Sequence, residues 1–180
     1  MDLPNKKYDI IYADPPWSYT DKAKAGKRGA SFKYDLMTTK AIADLPVQHI
    51  SNHDSFLFMW VTFPLLRDAF SVIDAWGFKY KTVGFTWVKK TRSDTWFTGM
   101  GNWTRANAEI CLLGIKGRPK RESAAVKQVI ASIPEEHSKK PDVIRERIIE
   151  LCGNRPRIEL FARKKTTGWD TWGLEVGKAE

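Results

Sequence analysis

Short apolar runs separated by segments of helical periodicity constrain this chain more than any other feature. Runs at 8–13, 55–62, 82–88, 108–115 and 157–162 read as strands, with a weaker one around 126–132. Pro64 suits the first turn of a helix that buries Leu65, Leu66, Ala69, Phe70 and Ile73 and ends near Trp76-Gly77. A second helix begins at Pro141, buries Val143, Ile144, Ile148 and Leu151, and stops at Gly153. Strands alternating with helices call for a mainly parallel sheet covered on both faces. The expected fold class is therefore α/β and doubly wound. At 180 residues the chain suits a single domain over 1–180 with a full core.

The first run, Tyr8-Asp9-Ile10-Ile11-Tyr12-Ala13, leads straight into Asp14-Pro15-Pro16-Trp17. Ligands of open α/β sheets bind at the carboxyl ends of strands, which is where this tetrapeptide falls. With average proline usage near 5 %, the chance occurrence of this tetrapeptide in a chain of such length is on the order of 10⁻³ or less. The exocyclic amine of an aromatic base is a poor nucleophile, because its lone pair is delocalised into the ring. A site that uses it must hold the N–H groups with acceptors. Ionised Asp14 is acceptor-only, and Pro15 and Pro16 offer carbonyls without N–H groups. Trp17 adds a flat face on which an extruded base could stack. Acceptors, a rigid turn and a stacking ring suit alkyl transfer to an amino group of adenine better than of cytosine.

Asp14-Pro15-Pro16-Trp17 resembles the signature of the adenine N6-methyltransferases related to the catalytic subunit of the eukaryotic messenger-RNA adenosine methylase. Ser55–Val61, Phe85–Lys89 and Glu109–Gly117 resemble that family's following strands. His137–Asp142 and Arg157–Arg163 resemble its cofactor-side motifs, in the same order. The resemblance implies S-adenosylmethionine as cofactor, held in a methyltransferase fold with permuted motifs. It places Lys140 against the methionine carboxylate, a charge-assisted contact. Glu159 would mark the cofactor strand, and Arg163, Lys165 and Thr166 would follow it. Glu175 would accept hydrogen bonds from ribose hydroxyls. The family's acidic strand before the signature has no room here, so Asp9 and Ile10 are expected to cover part of its role, beside Asp14. Lys165, Thr166 and Leu174 replace His and Asn residues common in the eukaryotic members. Tyr34 is expected over the target adenine, opposite Trp17, and Glu109 near it.

Two polar stretches interrupt the order of elements. The first, 18–35, carries Lys22, Lys24, Lys27, Arg28 and Lys33; the second, 89–107, mixes Lys89, Lys90, Arg92 and Arg105 with Trp96, Phe97 and Trp103. Loops longer than about 12–15 residues are usually functional or disordered. Aromatics among basic residues stack bases and hold phosphates, so both loops are expected to line the substrate mouth. The formal net charge of +9 points the same way.

No N-terminal run resembles a signal peptide and none has the length of a membrane span, so a cytoplasmic protein without membrane contact is expected. Cys111 and Cys152 read as two buried thiols rather than a disulfide. His49 and His53 could share a helix face, but no third ligand has suitable spacing and no metal is expected. No Gly-x-Gly-x-x-Gly occurs. The nucleic acid is expected to be DNA, bound by a monomer or homodimer. One rival keeps the chemistry on RNA. The other is a binding subunit that supports a catalytic partner, against which the intact tetrapeptide argues.

Overall fold

In the computed structural model of the chain, residues 2–18, 36–101, 103–135, 139–174 and 176 are described. Seven strands among them form one sheet, in the order β5-β3-β4-β2-β1-β6-β7. They are β1 (Tyr8–Ala13), β2 (Ser51–Val61), β3 (Lys79–Lys89), β4 (Ala108–Lys116), β5 (Val129–Ser132), β6 (Arg157–Leu160) and β7 (Asp170–Trp172). The sheet is mainly parallel, as expected. Only β4 runs against its neighbours, β2 and β3. That reversal was not anticipated, because an apolar run marks a strand but carries no direction. Three helices are described: α1 (Thr39–Ala43), α2 (Leu66–Ala75) and α3 (Val143–Cys152).

Side-chain alternation along the strands builds a core on each face of the sheet. On one face Ile11, Ala13, Leu57 and Met59 pack with Ile42 of α1 and Ala69, Val72 and Ile73 of α2. On the other, Ile10, Tyr12, Phe58, Phe85 and Cys111 pack with Ile144, Ile148 and Cys152 of α3. Both cysteines are buried free thiols. Helices thus cover both faces, which completes the doubly wound arrangement.

The ends of α2 and α3 follow the sequence closely. Pro64 lies in a 3₁₀ turn, Phe63–Leu65, that feeds α2. Gly77, at φ +78°, follows the α2 cap residue Trp76, and Gly153, at φ +87°, caps α3. Such left-handed positions suit glycine at helix ends. Helix α1 and strand β7 were missed, since five and three residues are too short to show a period. The Thr38 side chain accepts the Ala41 N–H at 3.1 Å and starts α1. His49 ends a 3₁₀ turn and His53 lies in β2, so they do not share a helix. Among the described residues no helix is long and apolar enough to cross a membrane.

Handedness now places the chemistry. Strand β5 ends, the chain turns into α3, and α3 runs back to the start of β6. The residues before α3 therefore stand at the same edge as the carboxyl end of β1. Because β4 is antiparallel, its first residues lie at that edge too. Asp14, Lys140 and Glu109 come from three distant segments and meet there.

Candidate active site

Asp14 follows the last residue of β1, flanked by β2 and β6. Lys140 Nζ lies 2.9 Å from Asp14 Oδ2 and 3.2 Å from Glu109 Oε2. Lys89 Nζ lies 2.5 Å from the other oxygen of Glu109. Four charges of alternating sign thus form a row, Asp14–Lys140–Glu109–Lys89. The Lys140 side chain is only 8 % exposed, and its ammonium stands 5.6 Å over the Trp60 ring.

Burial separates the two carboxyls that share Lys140. It pushes the Asp14 carboxyl above the usual carboxylate range; Lys140 and Arg163 oppose this and Glu109 adds to it. At Glu109 burial also disfavours the charge, but Lys140 and Lys89 together hold its pKa below the ordinary value. Burial works against the Lys140 ammonium, yet Asp14 and Glu109 hold its pKa above the ordinary lysine value. Two carboxyls with pKa values driven apart are assigned different roles. Glu109 stays charged and anchors Lys140. Asp14 is the group better able to take up a proton.

The prolines are less open than expected. Pro15 O accepts the Trp17 N–H at 2.9 Å and Pro16 O accepts the Met37 N–H at 2.8 Å. Each carbonyl has two lone pairs, so one acceptor position remains at each. Trp17 needs a correction. It is 7 % exposed and packed in the core beside Met59 and Val61, so its face is not offered to a base. A buried indole N–H seeks an acceptor, and Trp17 Nε1 donates to Trp60 O at 2.9 Å. Trp17 braces the turn that carries Asp14 against β2.

Glu159 and the second half of the cofactor set also stand differently. Both Glu159 oxygens are taken by Arg145, which donates through Nε at 2.8 Å and Nη2 at 2.7 Å. The Arg145 guanidinium lies 5.6 Å over the Tyr12 ring, and the Tyr12 hydroxyl accepts from Trp60 Nε1 at 2.7 Å. Asp9 and Ile10 are not brought to this edge. At about 3.3 Å per residue, four to five positions of extended chain separate them from Asp14 by roughly 13–17 Å. Ile10 is fully buried, and Asp9 accepts from Asn52 Nδ2 at 2.5 Å. Lys165 and Thr166 line another recess, about 610 Å³, with Asn5, Lys6, Tyr8 and Asp170, where β1 and β7 begin. Arg163 stays close enough to Asp14 to act on its ionisation.

In the second loop, Lys90 pairs with Asp94 at 2.6 Å and stands 5.3 Å over the Trp96 ring. Arg92 and Arg105 are exposed, and Trp103 is 99 % exposed. Tyr34, Lys22, Lys24, Lys27, Arg28 and Glu175 lie outside the described residues. The sequence reading counted Lys89 among the basic residues of the second loop without pairing it to Glu109, and it assigned no site role to Trp60, Tyr12 or Arg145. Lys89 and Glu109 lie at the two ends of one long loop, and antiparallel pairing across it (Trp87 opposite Glu109) brings them together. Recognising that hairpin was the signal that would have found Lys89.

The doubly wound sheet with one reversed strand, carrying a buried Asp–Lys–Glu cluster at its carboxyl edge, is consistent with an α/β methyltransferase fold. The MT-A70 family pattern matches residues 8–175, and the chain belongs to that family. It is 35 % identical to the type II methyltransferase M.MunI of a Mycoplasma species, over 97 % of this chain and 80 % of that protein. It is 28 % identical to the N6-methyladenosine RNA methyltransferase MTA1 of Cryphonectria parasitica, over 95 % of this chain and 52 % of that protein. Identity to the human N(6)-adenosine-methyltransferase catalytic subunit METTL3 is also 28 %, over 94 % of this chain. The chain spans 28 % of that human protein's length.

Proposed function

We propose that this chain transfers a methyl group from S-adenosylmethionine to the exocyclic N6 amine of adenine in DNA. The observation that carries this reading is Asp14, an acceptor fixed by Lys140 at the end of β1 and set beside proline carbonyls. DNA is favoured over RNA because identity and mutual coverage are greater toward the type II methyltransferase than toward the RNA methyltransferase.

The charges at the edge fit the cofactor. Lys140 and Arg163 offer cations to its carboxylate, and the Asp14 and Glu109 carboxylates suit the neighbourhood of a sulfonium. When bound, S-adenosylmethionine supplies an electrophilic methyl group. The protein's own task is to prepare the amine. Asp14 accepts one N–H and the Pro15 carbonyl keeps a lone pair for the other, which leaves the nitrogen lone pair free to point out of the ring. As the amine gains its methyl group it must lose a proton, and the raised pKa of Asp14 suits it to take that proton on. Glu109 and Lys89 keep Lys140 in place without competing for the proton.

The direct test is incubation with methyl-labelled S-adenosylmethionine and single- or double-stranded DNA or RNA, followed by nucleoside analysis. N6-methyladenine in DNA is the expected product. Label in RNA alone corrects the substrate, and no label in any nucleic acid overturns the reading.

The pH profile is a second check. Asp14 must be ionised to accept an N–H, so turnover should fall as pH drops through a value above the ordinary 3.8. Lys140→Gln removes the cation that opposes burial and should move this acid limb to higher pH. A limb that stays in place in Lys140→Gln, measured at saturating cofactor, shows that another group titrates.

A further inference from the structure

The loop between β3 and β4 carries four exposed large apolar side chains, Trp96, Phe97, Met100 and Trp103, and two of them stand almost wholly in water. Trp103 is 99 % exposed and Met100 is 92 % exposed. Its first limb is a built hairpin. Lys90 bridges Trp96, the Thr91 N–H donates to Thr95 O at 2.8 Å, and Phe97 N donates to Lys89 O at 3.0 Å. Asp94 turns the corner at φ +60°.

The second limb is narrow because of its glycines. A Cβ on Gly99 would run into the Ala106 carbonyl oxygen, and one on Gly101 would run into that of Thr104. Backbone therefore lies on backbone on both sides of the tip, which only glycine allows. Trp103 sits at the end of this tongue. The tongue's base is fixed to the sheet by the Lys89 N–H, which donates to Asn107 O at 2.8 Å, and by the Lys89–Glu109 ion pair. Arg92 and Arg105, both exposed, add positive charge to the same loop.

We infer that this tongue is a wedge: Trp103, with Met100 on the same tongue, enters the base stack of duplex DNA and unstacks the adenine that Asp14 receives. Proteins that distort duplexes insert apolar side chains between base steps, and an enzyme acting on a base must take it out of the stack. A narrow, glycine-bound tongue tipped by an indole has the shape for that step. The loop's basic residues complement phosphates, and it is continuous with the acceptor site through Glu109. The inference rests on the proposed adenine methylation of DNA.

The test compares wild type, Trp103→Ala and Trp103→Phe on a duplex and on its separated strands, with methyl-labelled S-adenosylmethionine. Trp103 is fully exposed, so its replacement leaves the core intact. The ratio of duplex to single-strand methylation should fall about tenfold or more in Trp103→Ala, since unstacking a paired base costs a few kcal/mol. Trp103→Phe should restore most of the ratio. A second readout needs no turnover. Duplexes with 2-aminopurine at adenine positions should brighten when wild-type protein is added, and should not with Trp103→Ala. An unchanged ratio, or an equal loss on both substrates, overturns the wedge while leaving the methylation reading standing. A dimer that becomes a monomer in Trp103→Ala, with the fluorescence rise kept, assigns the tip to a protein contact and also overturns it. Absence of methylation by wild type on every nucleic acid is the separate failure of the underlying reading.

Discussion

Asp14→Ala should lower the rate of methyl transfer by about 10²–10³, the loss that follows removal of one preorganised hydrogen-bonding group acting on the transition state. The fold should survive. Lys140 keeps Glu109 at 3.2 Å, so the variant leaves no buried ammonium without a counter-charge. Asp14→Asn is the sharper version. Its carbonyl still accepts, but its amide donates where the amine needs an acceptor, and it cannot take up a proton. Both variants should bind S-adenosylmethionine and DNA within a few-fold of wild type, by calorimetry and by mobility shift. A wild-type rate in Asp14→Ala removes Asp14 from the chemistry. A loss seen only as weaker cofactor binding would make Asp14 a cofactor ligand, with its acceptor role gone.

Asp14 was legible because it depends on local grammar: an apolar strand, then a turn that ends it. Lys140 was reached only through the family resemblance; local grammar marked no more than a helix start at Pro141, where a lysine before a helix reads as an ordinary surface residue. What stayed hidden depends on direction and register. Nothing in the run 108–115 says that β4 is antiparallel, yet that reversal carries Glu109 to Lys140. Lys79 and Tyr80 belong to β3, but they are exposed and join it through pairing with Ile115 and Gly114 of β4, so no buried apolar alternation marked them. Trp17 shows a different limit. A tryptophan beside a signature looks like a stacking ring, and only the Trp60 carbonyl and the bridge to Met37 reveal it as a brace. Asp9 and Ile10 were assigned by the family resemblance alone, and the rise of β1 carries them away from the edge. Arg145 was hidden by its neighbours. It lies between the core residues Ile144 and Ile148, and its partner is on another element.

Arg145→Ala should cost about 3–5 kcal/mol of stability, the usual result of breaking a buried ion pair and leaving one charge unpaired. The Arg145 side chain is 13 % exposed and that of Glu159 is 9 % exposed, so water cannot replace the guanidinium. Both carboxylate oxygens would lose their donors at once, and Tyr12 would lose the cation over its ring. Against a total stability of about 5–15 kcal/mol for a typical protein, that loss is large. Chemical denaturation read by circular dichroism should show the midpoint fall in Arg145→Ala. Glu159→Gln should lose less, because the amide oxygen still accepts from Arg145. The comparison decides what Glu159 is for. A carboxylate clamped on two sides supports β6 against α3, and its replacement should lower stability first and alter KM for S-adenosylmethionine only as a consequence. If Glu159→Gln instead raises that KM while the denaturation midpoint stays put, Glu159 touches the cofactor and the clamp is secondary. The replacement of both residues by apolar ones of similar volume completes the argument. It removes the charges together, and such exchanges are often neutral or stabilising. A double variant that regains the midpoint lost in Arg145→Ala would locate the damage in the stranded carboxylate. One that stays as unstable as Arg145→Ala would locate it in the lost packing over Tyr12.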